Sequence, residues 1–353
     1  MVEKLPTVAD PASACCRIES LLDFWTEMAK PGDAIDARDG TLSGIRRSTC
    51  AAYVAWRTAQ PRRSYKDAET APRVTDQTAR RELEDLSAAI GWFAAEHPLT
   101  RRPIVTLPPK SESPRDALTR DQAARLLKAA MGWRWDPVMI DGRTGNPGCW
   151  IRLGPTARTN RLHLRRFLVL GLYTGTRHTV LLKLLWSESP SQAWIDLDRG
   201  VIFRRGRAER DRPTKRRPVC QIPPRPLAHL RRWRALDLQR QARMHDDHVA
   251  AGGNPATAPQ LTNVLHFGGA PIVGRIRTGF ESLVADAGLD PAITPHWMRH
   301  TCATWLMEGD AQPWEAAGYM GMSTKILEDT YGHHRPSHQA RAKRAAGGRR
   351  ATG

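Results

Sequence analysis

The chain has 353 residues, with 54 Lys and Arg against 36 Asp and Glu, for a formal net charge of +18. Its 41% apolar and 25% charged content is that of an ordinary globular protein and excludes a disordered or fibrous chain, and its length supports two or three domains. The excess of positive charge favours polyanionic partners, because each Lys or Arg set against a phosphate releases condensed counterions.

Cys15, Cys16, Cys50, Cys149, Cys220 and Cys302 form no CxxC pair and no zinc-like spacing. The N-terminal "MVEKLPTVADPAS" lacks the charged-then-apolar order of a signal peptide. Apolar runs such as "FLVLGLY" from Phe167 fall far short of the roughly 20 residues that span a bilayer. The expectation is a reduced, cytoplasmic protein with no membrane partner.

In chain order, "SLLDFWTEMA" from Ser20, "RRSTCAAYVAWRTAQ" from Arg46 and "TDQTARRELEDLSAAIGWFAAEH" from Thr75 carry apolar residues at helical spacing. Five prolines from Pro98 to Pro114 then predict a linker. A domain boundary is placed near residue 112. "LTRDQAARLLKAAM" opens the next helix, with Thr119 and Gln122 spaced for a capping box. "GWRWDPVMIDGRTGNPGCW" from Gly132 reads as a long loop or insertion. "LHLRRFLVLGLYTGTRHTVLLKLLW" reads as two buried helices hinged at Thr174-Gly175-Thr176. "AWIDLD", "GVIFRR", "PVCQIP" and "TNVLHF" read as short strands, and "PLAHLRRWRALDLQRQAR" as a helix with an Arg-rich face. "TPHWMRHTCATWLMEGD" predicts a helix with Thr294 as N-cap and Pro295 at its first position. "QPWEAAGYMG" and "STKILEDTYG" predict two short helices, capped by Ser323 and stopped at Gly332. After Asp329 there is no acidic residue, which predicts a basic, irregular or partner-bound tail.

Three stretches carry candidate chemistry. In "HWMRH", His296, Arg299 and His300 share one helix face beside a helix N-terminus, a cationic setting suited to an anion. In "YTGTRH", Arg177 follows a Gly turn between apolar stretches, where a guanidinium needs a partner, either an internal carboxylate or a ligand. "RRGRAERDRPTKRRP" from Arg204 reads as a basic hairpin tip holding Lys215. "GHHRPSH", with His333, His334 and His338, lacks a further ligand at metal-binding spacing and reads as a solvated or DNA-facing segment.

Arg in a TG-x-R turn, a basic hairpin with a Lys, "HWMRHTCAT", then "MGMSTKILEDTY": this order resembles the tyrosine recombinase family, which includes phage integrases. The resemblance runs from about residue 113 to 340. It implies a mainly α fold with a small antiparallel β-sheet: an N-terminal helical core-binding domain over 1–112, an integrase-type catalytic domain over 113–340 and a basic tail over 341–353. It also implies a site-specific recombinase that cleaves and rejoins double-stranded DNA through a 3′-phosphotyrosine, without metal, ATP or other cofactor, as a homo-tetramer on two DNA sites. Carried over by position, Tyr331 is the nucleophile, Arg177 and Arg299 grip the phosphate, and His296 handles the nucleophile's proton. Lys215 protonates the leaving 5′ oxygen, with Arg210 and Arg212 as alternatives. Two positions depart from the family pattern. Met322 stands where a His or Trp is expected, and Val180 where an acidic residue is expected. They keep two alternatives in view, a non-cleaving DNA-binding protein of this fold and a topoisomerase-like relaxing enzyme.

Overall fold

The computed structural model describes residues 11–28, 44–63, 65, 67–110, 116–142, 144–211, 216–274 and 276–346. The chain divides into two compact units, Met1–Ser113 and Pro114–Gly353. Each has its own apolar core.

The first unit is helical. Helices α1 (Pro11–Met28), α2 (Arg47–Thr58) and α3 (Asp76–Glu96) bury Leu21, Phe24, Tyr53 and Leu83. Phe24 meets Tyr53 edge-on at 5.2 Å, a favoured quadrupole geometry. One charge is buried with them. Glu82 accepts hydrogen bonds from Tyr53 Oη at 2.6 Å and from Arg57 Nε at 3.0 Å, so neither ion lacks a partner. Part of the proline-rich segment is not a free linker. Val105 and Leu107 pack against this core, and the Pro109 carbonyl accepts from Gln77 Nε2 at 3.1 Å.

The second unit is built on α6 (Leu162–Thr174), which is buried from Arg166 to Leu172. Around it lie α4 (Arg120–Ala130), α9 (Arg277–Asp286) and α10 (Trp297–Glu308). Helix α4 starts where the capping box predicts. Gln122 N donates to Thr119 Oγ1 at 3.1 Å, and Thr119 N donates to Gln122 Oε1 at 2.9 Å. Leu118 N, one residue earlier, is anchored on Thr301 Oγ1 at 2.9 Å, which ties α4 to α10.

The stretch expected as a loop from Gly132 is instead an antiparallel hairpin, β1 (Trp133–Ile140) with β2 (Pro147–Arg152). Trp135 faces Trp150 across it, and the Arg125 guanidinium and Lys128 ammonium lie over these rings. Helix α5 (Pro155–Asn160) leads into α6, and α7 (His178–Leu182) follows α6 after a tight turn. A three-stranded antiparallel sheet comes next, in the order β3 (Trp194–Asp196), β4 (Val201–Phe203), β5 (Cys220–Gln221). The long α8 (Pro224–Ala250) leads to a small hairpin, β6 (His266–Phe267) with β7 (Ala270–Pro271). After α9 and α10, the chain closes with α11 (Pro313–Met320), α12 (Thr324–Tyr331), a 3-10 turn (Gly332–His334) and α13 (Ala340–Ala346). The segment expected as an irregular tail is thus helical over Ala340–Ala346. The fold is mainly α with small antiparallel sheets, as expected from the sequence. Among the described residues, no helix is long and apolar enough to cross a membrane.

Candidate active site

Gly175 ends α6 in the left-handed conformation, at φ 59°. A Cβ there would lie 2.4 Å from Met320 Sδ and 3.2 Å from Cys302 Sγ, so both backbone angle and space require glycine. Thr174 Oγ1 donates to the Leu170 carbonyl at 2.6 Å and lies 2.8 Å from Thr176 Oγ1, which locks the turn. Arg177 leaves this turn as the N-cap residue of α7, and its Nη1 donates to the Arg216 carbonyl at 3.1 Å.

That carbonyl belongs to the returning arm of the basic hairpin between β4 and β5. The outgoing arm begins with Arg204, which is only 4% exposed. Its Nε donates to Thr176 Oγ1 at 2.9 Å, Nη2 to the Thr174 carbonyl at 2.5 Å and Nη1 to the Tyr319 carbonyl at 2.5 Å. Arg204 therefore staples the hairpin base to the TG turn and to α11. In sequence it is one arginine of a basic hairpin tip, and its role was not visible there, since its burial arises only from tertiary packing. Gly321, left-handed at φ 66°, passes so close that a Cβ would lie 2.8 Å from the Arg216 carbonyl oxygen.

Helix α10 supplies the third wall. Thr294 was expected as its N-cap, but the helix starts two residues later, with His296 in the N-cap place. The spacing argument survives the shift, because His296 keeps helical angles and its carbonyl accepts from Arg299 N at 3.0 Å. Arg299 points inward, 7% exposed, and Nη1 donates to the Gly175 carbonyl at 2.7 Å. His300 is half-buried, and the His296 ring meets it edge-on at 4.7 Å between centroids.

Tyr331 closes the site from the end of α12, whose start is capped by Ser323 Oγ accepting from Ile326 N at 3.2 Å. It is 4% exposed, and its hydroxyl lies 2.6 Å from His300 Nδ1. Setting separates it from the other four tyrosines. Tyr65 and Tyr173 are exposed. Tyr53 donates to Glu82, and Tyr319 donates to the Tyr173 and Gln221 carbonyls at 2.9 and 3.1 Å. Burial, chiefly, pushes the pKa of Tyr53 and of Tyr319 up. Tyr331 alone meets an imidazole beside a cluster of guanidiniums, and its oxygen interacts favourably with the Arg299 charge. The nearby thiols are unreactive by the same logic, since burial pushes Cys302 up to about 12 and raises Cys220.

Arg177, Arg204 and Arg299 repel one another. Burial first, then Arg177 and Arg204, pulls Arg299 down to about 10. Burial, then Arg204 and Arg217, lowers Arg177. All remain cations at neutral pH. Their recorded partners are backbone carbonyls and one hydroxyl, while ion pairs in this unit go to other arginines, such as Arg161, Arg166 and Arg217. Among the described residues, none of the three is in an ion pair. Converging cations, two of them buried, with no anion paired to them among the described residues, constitute an anion site.

The structure thus brings together Arg177, His296, Arg299 and Tyr331. Lys215 and Arg212 lie outside the described residues, as does the rest of 212–215; Arg216 and Arg217 return to the site base. Arg210 precedes that gap. The His333 and His334 rings lie tilted to each other at 4.0 Å between centroids in the turn after Tyr331, and no metal-binding cluster forms among the described residues.

No protein-family model matches the sequence. A curated relative, the tyrosine recombinase XerC of Chlamydia caviae, is 27% identical over 172 residues, covering 46% of this chain and 46% of the relative. The chain thus spans about half the length of the curated relative it matches. Among solved structures, the Tn1549 transposon integrase in complex with transposon right end DNA aligns over 98% of this chain and 97% of its own, with TM-score 0.59 and 15% identity. The XerH site-specific recombinase bound to its difH substrate aligns over 94% and 78%, with TM-score 0.55 and 11% identity. The chain is thus similar, in fold and over about half its length in sequence, to members of the tyrosine recombinase family. Against that family's pattern, Met322 follows Gly321 at the α11 terminus and packs, half-buried, on the cluster of Met307, Met320 and Tyr331. Val180 packs on the main core from α7. Neither side chain can hold a phosphate oxygen or orient an arginine.

Proposed function

We propose that this protein is a site-specific DNA recombinase of the integrase kind, cutting and rejoining double-stranded DNA through a 3′-phosphotyrosine. The observation that carries the reading is Tyr331, with its hydroxyl on an imidazole, beside the half-buried Arg177 and the buried Arg204 and Arg299, none of which is in an ion pair among the described residues. A backbone phosphate is the anion that fits. Arg177 and Arg299 bind its non-bridging oxygens and stabilise the charge of the pentavalent transition state. Tyr331 Oη attacks phosphorus, the P–O5′ bond breaks, and Lys215 protonates the leaving 5′ oxygen. Lysine suits this donor role better than Arg210 or Arg212, whose guanidiniums release protons poorly. His296, at the solvent edge, handles protons on the nucleophile side. The covalent ester keeps the bond energy, so resealing needs no ATP or metal.

The net charge of +18 supplies sequence-independent affinity for the duplex. The chain works as a tetramer on two sites, in a reduced cytoplasmic compartment where the six cysteines stay free. The test uses nicked suicide duplexes tiled across the DNA that flanks its gene. The expected result is a covalent protein–DNA adduct that disappears in Tyr331→Phe, while the variant still binds the same fragment. Binding without an adduct would favour the non-cleaving alternative to which Met322 and Val180 point, and relaxation of supercoils without recombinant junctions would favour a topoisomerase-like enzyme.

A further inference from the structure

We infer that His300 is a catalytic residue, the base that takes the Tyr331 proton during cleavage. The inference rests on the recombinase reading above and changes its proton path, which motif position alone assigned to His296.

The geometry is direct. His300 Nδ1 and Tyr331 Oη are 2.6 Å apart, a short hydrogen bond between the attacking oxygen and a basic nitrogen. His296 is one turn away on the same helix, and its ring meets that of His300 edge-on at 4.7 Å between centroids. Arg299 is adjacent in sequence, and Arg177 is close enough to repel it. Two guanidiniums beside it disfavour a third cation at His300, and the 2.6 Å contact suits a neutral ring that accepts from Tyr331 through Nδ1. Met322, at the place where the family carries a polar ring, offers only a thioether inside an apolar cluster. His300 supplies a polar ring from the neighbouring helix.

The step balances as follows. An ordinary tyrosine lies roughly 3.5 pKa units above an ordinary histidine, so full transfer before attack is unfavourable. The proton moves as the Oη–P bond forms. The P–O5′ bond breaks, and its oxygen takes a separate proton from the acid on the other side. His300 becomes an imidazolium while the phosphate gains negative charge held by Arg177 and Arg299. In resealing, the imidazolium returns its proton to Oη as the tyrosine leaves. His296, exposed at the helix start, links His300 to solvent. Other titratable groups on the elements packed here are Arg177 and His178 at the start of α7, Arg299, Cys302 and Glu308 on α10, Glu315 and Tyr319 on α11, Lys325, Glu328 and Asp329 on α12, and His333 and His334 in the turn that follows.

The experiment measures adduct formation against pH for the full chain and for His300→Asn and His300→Ala, on duplexes with an ordinary 5′ oxygen or a 5′-bridging sulfur leaving group. Asn keeps an amide near the place of Nδ1 but cannot carry the proton. Both variants are expected to form adduct about 10²–10⁴-fold more slowly at pH 7. Their rates should climb about tenfold per pH unit toward pH 10, whereas the unmodified chain levels off above the imidazole range. The sulfur leaving group should restore Lys215→Ala but neither His300 variant. His300→Asn cleaving at the unmodified rate with the unmodified pH profile would overturn the assignment, as would rescue of it by sulfur. Absence of adduct from the unmodified chain would instead remove the recombinase reading itself. Matched thermal unfolding and DNA retention separate either result from misfolding.

Discussion

Arg166 and Arg299 sit in the same unit, on α6 and α10, and are 5% and 7% exposed. Their surroundings are opposite. Arg166 grips Asp237 with two bonds of 2.6 and 2.7 Å, and also donates to the Val264 carbonyl at 2.7 Å. The same carboxylate receives Trp186 Nε1 at 3.0 Å and lies 3.1 Å from His266 Nε2. Every charge there is answered by the protein. Arg299 has a single carbonyl, plus two repelling guanidiniums for company. A buried cation is costly without an anion, so a closed network marks structure and an open one marks a place reserved for a ligand. Arg57 with Glu82 in the first unit repeats the closed pattern.

The contrast breaks most visibly at Asp237. Asp237→Ala leaves Arg166 buried and alone, and should cost about 3–5 kcal/mol in chemical unfolding of the second unit. Removing a cation from the open cluster should do the reverse. Arg299→Ala is expected to slow adduct formation by about 10²–10³-fold, the usual loss when one transition-state donor goes. Arg299→Met should leave the DNA-free protein as stable as the unmodified chain or up to roughly 2 kcal/mol more stable, because it removes repulsion at a site kept for function. If Arg299→Met unfolds as readily as Asp237→Ala, the two arginines do not differ as described.

Gly175→Ala addresses the turn that carries Arg177. It forces a left-handed angle on alanine and a contact with Met320, and should cost about 1–2 kcal/mol together with a loss of cleavage rate. The smallest effect is in pH. Hydrogen bonds from Arg166 and His266 together outweigh burial and lower the Asp237 pKa, so its contribution is present above the ordinary carboxylate range and is lost as pH falls through the depressed value. His296 is lowered by burial, then by Arg299, His178 and Arg177. Its folded form resists protonation, so stability declines as pH drops through the ordinary imidazole value near 6.5. Thermal unfolding across pH 7 to 3 should show a shallow first decline, smaller in His296→Gln because only His163 and His334 then remain lowered by burial, and a steeper acid loss that persists in it.

Much of this was legible in the sequence wherever the signal was local. Thr119 with Gln122, Ser323 before α12 and Gly175 after α6 act within a few residues, and each does what its type predicts. The order of Arg177, His296, Arg299 and Tyr331 was legible as a motif. What sequence spacing could not supply was contact between distant segments. Arg204 looked like one more arginine in a basic run, yet it is buried against Thr176 and Tyr319, and 115 residues separate it from the latter. His300 was visible beside Arg299, but its contact with Tyr331 depends on how α12 packs on α10. The β1–β2 hairpin was missed although Trp133 and Trp135 alternate with polar residues, because the Gly and Pro around them read as a loop.

The most direct test is to digest the trapped adduct with nuclease and protease and to locate the residue that carries the nucleotide. The account predicts a deoxynucleotide joined through its 3′ phosphate to Tyr331 and to no other tyrosine. An adduct on a different residue, or a fragment protected at a defined site with no adduct at all, would contradict it.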